Sequence, residues 1–223
     1  DLHRRRHSFP TRRSSDLARF EHTLVSSPPW AWSDVVEGWS WSGFEGKPIR
    51  VEVYADAEEV ELLLNGQSLG SAPVGIKKPL VANFEVAYSS GELIAVAKRG
   101  GAEISRTSIV SATGASQLSV LTDSASLAAD GQDVAHIDIS VRDASGTLFN
   151  LANDEITVEV SGAGVLAGLG SSNPSTETRF DSSVVSAFDG RALAIVRSTG
   201  AGEILVTVST VAHGSKTLSI IAA

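Results

Sequence analysis

The chain has 223 residues, 42% hydrophobic and 20% charged, with 20 glycines, seven prolines and neither cysteine nor methionine. That length accommodates one or two domains with real cores, but not a β/α barrel of about 250 residues with anything beside it. The missing cysteines exclude a disulfide framework, thiolate catalysis and the common structural zinc sites, no apolar run approaches the ~20 residues of a membrane span, and a formal charge of −8 argues against nucleic acid as a partner.

Residues 1–17, DLHRRRHSFPTRRSSDL, hold five arginines against Asp1 and Asp16. A basic arm of this kind suits nucleic acid or an anionic lipid surface. It has no amphipathic period and no apolar core, so it reads neither as a membrane helix nor as a signal peptide. The stretch HSFPTRRSSDL, residues 7–17, resembles the translation of a common sequencing adapter. The arm is therefore expected to be foreign to the fold, disordered and without function. The missing methionine is expected of a chain that starts inside a longer reading frame. Without the arm the formal charge moves from −8 to −11.

All four tryptophans fall in the next segment, WAWSDVVEGWSWSGFEGKP, residues 30–48. Trp30 and Trp32 form one i, i+2 pair and Trp39 and Trp41 another, so each pair shares a face if the chain is extended. Flat aromatic faces pack against the C–H face of a pyranose, which makes these four residues the candidate carbohydrate contacts. The competing reading is a plug in a core or between domains, since tryptophan buries a large area.

From Arg50 onward the sequence reads as short strands with turn punctuation. Val51 and Val53 alternate with Arg50, Glu52 and Tyr54. Asn65-Gly66 between apolar flanks predicts a hairpin, because a type I′ turn needs positive φ at both central positions. Strands follow over residues 80–88, 92–98 and 104–110, punctuated by Ser89-Ser90-Gly91 and Arg99-Gly100-Gly101. Residues 111–117, SATGASQ, read as a linker or a sandwich edge. Residues 135–141 then alternate strictly, apolar Ala135, Ile137, Ile139 and Val141 against His136, Asp138 and Ser140. Further strands are predicted at 156–160, 190–197, 203–209 and 217–221, with the glycine-rich stretch GAGVLAGLG, residues 162–170, as a tightly packed loop. Strands spaced every 8–12 residues or so indicate β-sandwiches. The fold expected is all-β: two tandem immunoglobulin-like sandwiches, residues 18–112 and 113–223, behind a disordered arm.

Little in this pattern points to catalysis. No G-x-S-x-G elbow occurs, and His136 and His213 read as surface residues, the second at a hairpin tip. Asp130, Asp133 and Asp138 lack the full oxygen series of a calcium loop, so Asp130-Gly131 reads as a turn. The glycine-rich stretch does not lead a strand into a helix, so it is no phosphate cradle. Glu58, Glu59 and Glu61 cluster, but strand alternation separates neighbours onto opposite faces, which suits a solvated edge better than a glycosidase carboxylate pair. No metal, cofactor or catalytic residue is implied.

The tryptophan segment followed by VELLLNGQSLG, residues 60–70, resembles the fourth domain of family 2 glycoside hydrolases of the bacterial β-galactosidase type. The stretches LAADGQDVAHIDISVRDASG (127–146), LAGLGSSNPSTETRF (166–180) and FDGRALAIVRS (188–198) are similar to the fifth, C-terminal domain of the same enzymes. The resemblance spans nearly all of residues 28–222. It implies two immunoglobulin-like sandwiches from an enzyme that hydrolyses terminal β-galactosides or related β-glycosides with retention. The acid/base and nucleophile glutamates of that family lie on a barrel with no counterpart in this sequence. The chain is thus expected to be a non-catalytic C-terminal portion. Its partners would be the barrel and sandwich domains of the parent, with carbohydrate and a second copy of the chain as further candidates. Two other readings stay open: a carbohydrate-binding module, and an immunoglobulin-like repeat of a surface adhesin.

Overall fold

The computed structural model describes residues 10–13, 36–77, 79–173 and 176–223, and there is no helix among them. The chain divides into two compact units, residues 1–111 and 112–223.

The strands of the first unit are β1 (Pro10–Arg13), β2 (Val36–Glu37), β3 (Pro48–Tyr54), β4 (Glu59–Leu64), β5 (Gln67–Pro73), β6 (Val81–Ala87), β7 (Glu92–Arg99) and β8 (Ala102–Val110). They form two four-stranded antiparallel sheets, in the orders β2-β1-β3-β6 and β5-β4-β7-β8. Strand alternation decides what each sheet buries. Ile49, Val51 and Val53 of β3 are buried, as are Val60 and Leu62 of β4 and Leu93 and Ala95 of β7. Asn65 and Gly66, at φ 50° and 79°, make the expected turn between β4 and β5. The Asn65 side chain then ties this turn to the start of β7. Its oxygen accepts from the Glu92 N–H at 2.9 Å, and its amide donates to the Ser90 carbonyl at 3.2 Å. Gly91 makes room for it, since a Cβ there would lie 1.9 Å from Asn65 Oδ1.

Strand β1 lies inside the arm expected to be disordered. It pairs with β3, Thr11 opposite Val51 and Arg13 opposite Ile49, and with β2 on its other side. The physical basis is general: a free strand edge offers a row of backbone N–H and C=O groups, which an extended segment satisfies with little regard to its side chains. The other residues of the arm lie outside the described residues.

The second unit contains β9 (Gln117–Thr122), β10 (Ser126–Leu127), β11 (Val134–Arg142), β12 (Glu155–Gly162), β13 (Gly164–Gly170), β14 (Val184–Ser186), β15 (Arg191–Ser198), β16 (Gly202–Thr210) and β17 (Gly214–Ala222). One sheet has the order β10-β17-β16-β12-β14 and the other β13-β15-β11-β9. All pairs are antiparallel except β10 with β17. Ile137 and Ile139 of β11, Ala194 and Val196 of β15, and Val206 and Val208 of β16 lie in a single buried cluster.

The glycine-rich stretch is a strand, not the loop its composition suggests. Six residues of β13 pair with β15, with an irregularity between Leu166 and Gly168. The glycines serve close approach rather than a turn. A Cβ on Gly164 would fall 2.8 Å from Ile204 Cγ2, and one on Gly170 would fall 2.8 Å from the Phe180 ring.

Polar contacts anchor the end of the first unit and the start of the second, each within its own unit. Ser111 is buried; its N–H donates to the Gly91 carbonyl at 2.9 Å and its hydroxyl to the Trp39 carbonyl. Asp143, buried in the turn after β11, accepts from the N–H groups of Thr113, Ser145 and Thr147 at 2.8–2.9 Å and from the Ser145 hydroxyl at 2.6 Å. The serine hydroxyl, helped by those three amides, lowers its pKa to about 2.

Asp143 thus stabilises the second unit through its ionised form. A carboxylate whose folded pKa lies below its unfolded value contributes fully above the unfolded value, near 3.8, and loses that contribution as pH falls toward about 2. Asp143→Ala leaves three backbone amides without their charged acceptor and is expected to cost about 2 kcal/mol. Urea unfolding of the second unit should show this loss at pH 7, and a shallower fall in stability between pH 4 and pH 2 than in the parent chain.

Candidate functional site

The four tryptophans separate into two groups. Trp30 and Trp32 lie outside the described residues. Trp39 and Trp41 are buried, at 0% and 2% exposure, and so is Ser40 between them. The i, i+2 spacing does not place the second pair on an open strand face, because residues 38–41 belong to no strand. The Trp39 indole N–H donates to the Ser89 carbonyl at 2.9 Å. Its ring meets Tyr88 edge to face, centroids 5.0 Å apart at 64°. The Tyr88 hydroxyl donates to the Trp39 carbonyl at 3.2 Å and accepts from the Trp41 N–H at 3.0 Å. Residues 39–41 are thereby locked to residues 88–89 and 111, with no ring face left for a sugar.

The carboxylates are similarly engaged. Glu61 pairs with Lys98 at 2.7 Å and accepts from the Ser68 hydroxyl at 2.7 Å. The lysine, then the serine, hold its pKa below the ordinary value, the wrong direction for a glycosidase acid that must keep a proton near neutrality. Glu58 accepts from the Gly100 N–H at 2.8 Å and so closes the turn between β7 and β8. Asp130 accepts from the N–H groups of Gln132 and Asp133, which lower its pKa, and Asp133 accepts from Ala128 and Val134. Both are turn residues, as Asp130-Gly131 suggests. His136 sits on the surface with its Nδ1 2.8 Å from Asp123 Oδ2. His213 is at a hairpin tip, but its side chain is only 9% exposed and lies 3.3 Å from Asp154.

The described residues include a groove with the size of a ligand site, about 540 Å³, on the outer face of the β13-β15-β11-β9 sheet. Register places its floor. Gly170, Leu193 and Asp138 lie in one row across β13, β15 and β11, and Gly168, Ile195 and His136 in the next. Directly paired residues share a face, so two glycines, two aliphatic side chains and two polar side chains lie side by side. Phe180, 65% exposed, walls the groove with its ring over Gly170. Its backbone carbonyl accepts from the Leu169 N–H at 2.8 Å, and Arg179 and Asp181 pair with each other at 2.9 Å on either side of it. Asp138 is the only carboxylate among the lining residues. The arrangement offers shape, an apolar stripe and hydrogen bonds, without a nucleophile and acid pair.

Sequence reasoning passed over this groove. The available signal was β15 itself, where RALAIVRS is apolar on both phases of the alternation. A strand of that composition is covered on both faces or carries an exposed apolar stripe.

Residues 118–219 match the glycoside hydrolase family 2 C-terminal domain 5, and residues 46–105 match a domain of unknown function. A β-galactosidase of Bacteroides ovatus is 28% identical over 195 residues, covering 83% of this chain and 22% of that protein. The structure of a glycosyl hydrolase family 2 member from Bacteroides cellulosilyticus superposes with a TM-score of 0.81 at 29% identity, covering 96% of this chain and 28% of its own. A β-glycosidase from Bacteroides vulgatus gives 0.71 at 26% identity, covering 84% and 24%. The chain therefore spans about a quarter of the length of these relatives.

The knot around Trp39 yields a direct prediction. Trp39→Ala removes a fully buried side chain and should destabilise the first unit by about 3–5 kcal/mol. Trp39→Phe, which keeps most of the volume but strands the Ser89 carbonyl, should cost less. Urea midpoints read by tryptophan fluorescence measure both; equal midpoints for all three proteins would contradict the packing role.

Proposed function

We propose, because residues 118–219 match the glycoside hydrolase family 2 C-terminal domain 5, that the chain is the non-catalytic supporting portion of a larger glycosidase. The parent would hydrolyse terminal β-galactosides or related β-glycosides with retention. Its acid/base and nucleophile glutamates would stand on a preceding barrel, and the partners of this chain would be that barrel and its companion domains. The observation that carries this reading is the match of residues 118–219 to a C-terminal domain, and the engagement of several acidic side chains in the fold supports it. Glu58, Glu61, Asp130, Asp133 and Asp143 each hold a turn or a neighbouring strand. Two sandwiches built in this way supply rigid surface, which suits docking against a catalytic domain.

Two measurements test the proposal. The purified chain should release no chromophore from nitrophenyl β-galactoside or β-glucuronide beyond the buffer control; turnover that survives purification would end the non-catalytic reading. Deleting the matching C-terminal region from the Bacteroides ovatus β-galactosidase should lower the Tm of the remainder, since anything bound only to the folded state stabilises it. An unchanged Tm would argue against a supporting role.

A further inference from the structure

We propose that the groove on the β13-β15-β11 face is a saccharide-binding site for neutral pyranose oligomers. This proposal does not depend on what the rest of the parent protein does.

The floor is a stripe of unlike rows. The glycine row is flat because Gly168 and Gly170 present no side chains. Beside it run Leu193, which is 43% exposed, and Ile195, whose Cδ1 lies 4.0 Å from the Cβ position of Gly168. Beyond them stand Asp138 and, one pair along, Arg191 opposite Ser140. Three adjacent strands make a floor about 10 Å wide, enough for a six-membered ring with its hydroxyls.

A pyranose has the matching two-sided chemistry. Its axial C–H groups form an apolar face, and its rim is a ring of hydroxyls that both donate and accept. Phe180 and the Leu193–Ile195 stripe suit the apolar face. The ring of Phe180 is fixed on one side by Gly170 and open on the other. The polar edge suits the rim. The Ser140 hydroxyl donates to Asp138 Oδ1 at 3.2 Å and accepts from Arg142 Nε at 2.8 Å, which anchors the carboxylate, and Asp138 lines the groove as an acceptor for a hydroxyl. Arg191 supplies planar donors for the neighbouring oxygen. A carboxylate and a guanidinium lining the same groove favour a neutral ligand, because an anionic one gains from Arg191 and loses at Asp138. Purely apolar partners leave both charges desolvated without compensation.

The experiment is titration calorimetry of the full chain with galactobiose and with cellobiose. The expected result is a millimolar Kd for at least one of them. Phe180→Ala and Arg191→Ala should each weaken it by about tenfold, or ~1.4 kcal/mol. Gly170→Ala should do the same while keeping every lining side chain, because the new methyl displaces the phenyl ring. Circular dichroism of each variant, expected to match the parent, separates loss of the site from loss of fold. Three results would overturn the proposal: no binding of either disaccharide at tens of millimolar, binding equally strong in all variants, or a chain dimer that Phe180→Ala dissolves while no saccharide binds.

Discussion

Everything in this molecule follows from the two-fold repeat of the β-strand. With no helix among the described residues, a sheet can shield its apolar face only against another sheet. Each unit meets that constraint in the same way. Alternate residues of β3, β4 and β7 fill the first core, and alternate residues of β11, β15 and β16 fill the second. A one-residue slip in any of these strands would turn its whole apolar set to water. The register therefore has to be fixed locally, and the polar side chains do that fixing.

This explains why several polar and acidic side chains behave as fasteners in the structure. Asn65 joins one hairpin to the strand beside it, Glu58 closes the next turn, and Asp143 gathers three amides beneath the turn that follows β11. Each satisfies backbone donors that the sheet ladder leaves over. The tryptophans follow the same logic. Trp39 buries its ring and still finds the Ser89 carbonyl for its N–H, while Tyr88 serves the backbone of residues 39 and 41. A carboxylate fixed in its ionised state and an indole with no open face are suited to holding a fold together.

Much of the fold was legible in the sequence because alternation and turn chemistry are local. Asn65-Gly66 and the strict repeat of residues 135–141 lead directly to β4, β5 and β11. The strand β13 was not legible. Its glycines read as a loop, whereas the neighbours that demand them, Ile204 and Phe180, are 40 and 10 residues away in the chain. The strand β1 was hidden for the opposite reason: its pairing is made by backbone, so its side chains carry no trace of it. The tryptophan segment was recognisable as unusual, but whether its rings face water depends on Tyr88, Ser89 and Ser111, some 50 to 70 residues on.

The same rule marks the place where the molecule faces outward. β15 buries Ala192, Ala194 and Val196 and turns Leu193 and Ile195 the other way, beside an exposed Phe180 and flat glycines. Trp39 and Trp41 are buried, whereas this face is open to solvent. The most direct measurement is a methyl-labelled NMR titration of the full chain with galactobiose, following the Leu193 and Ile195 methyls and the Trp39 indole N–H together. Movement of the two methyl signals with a stationary indole is the predicted result. A shifting indole over stationary methyls would place the sugar at the tryptophans and contradict this assignment of roles.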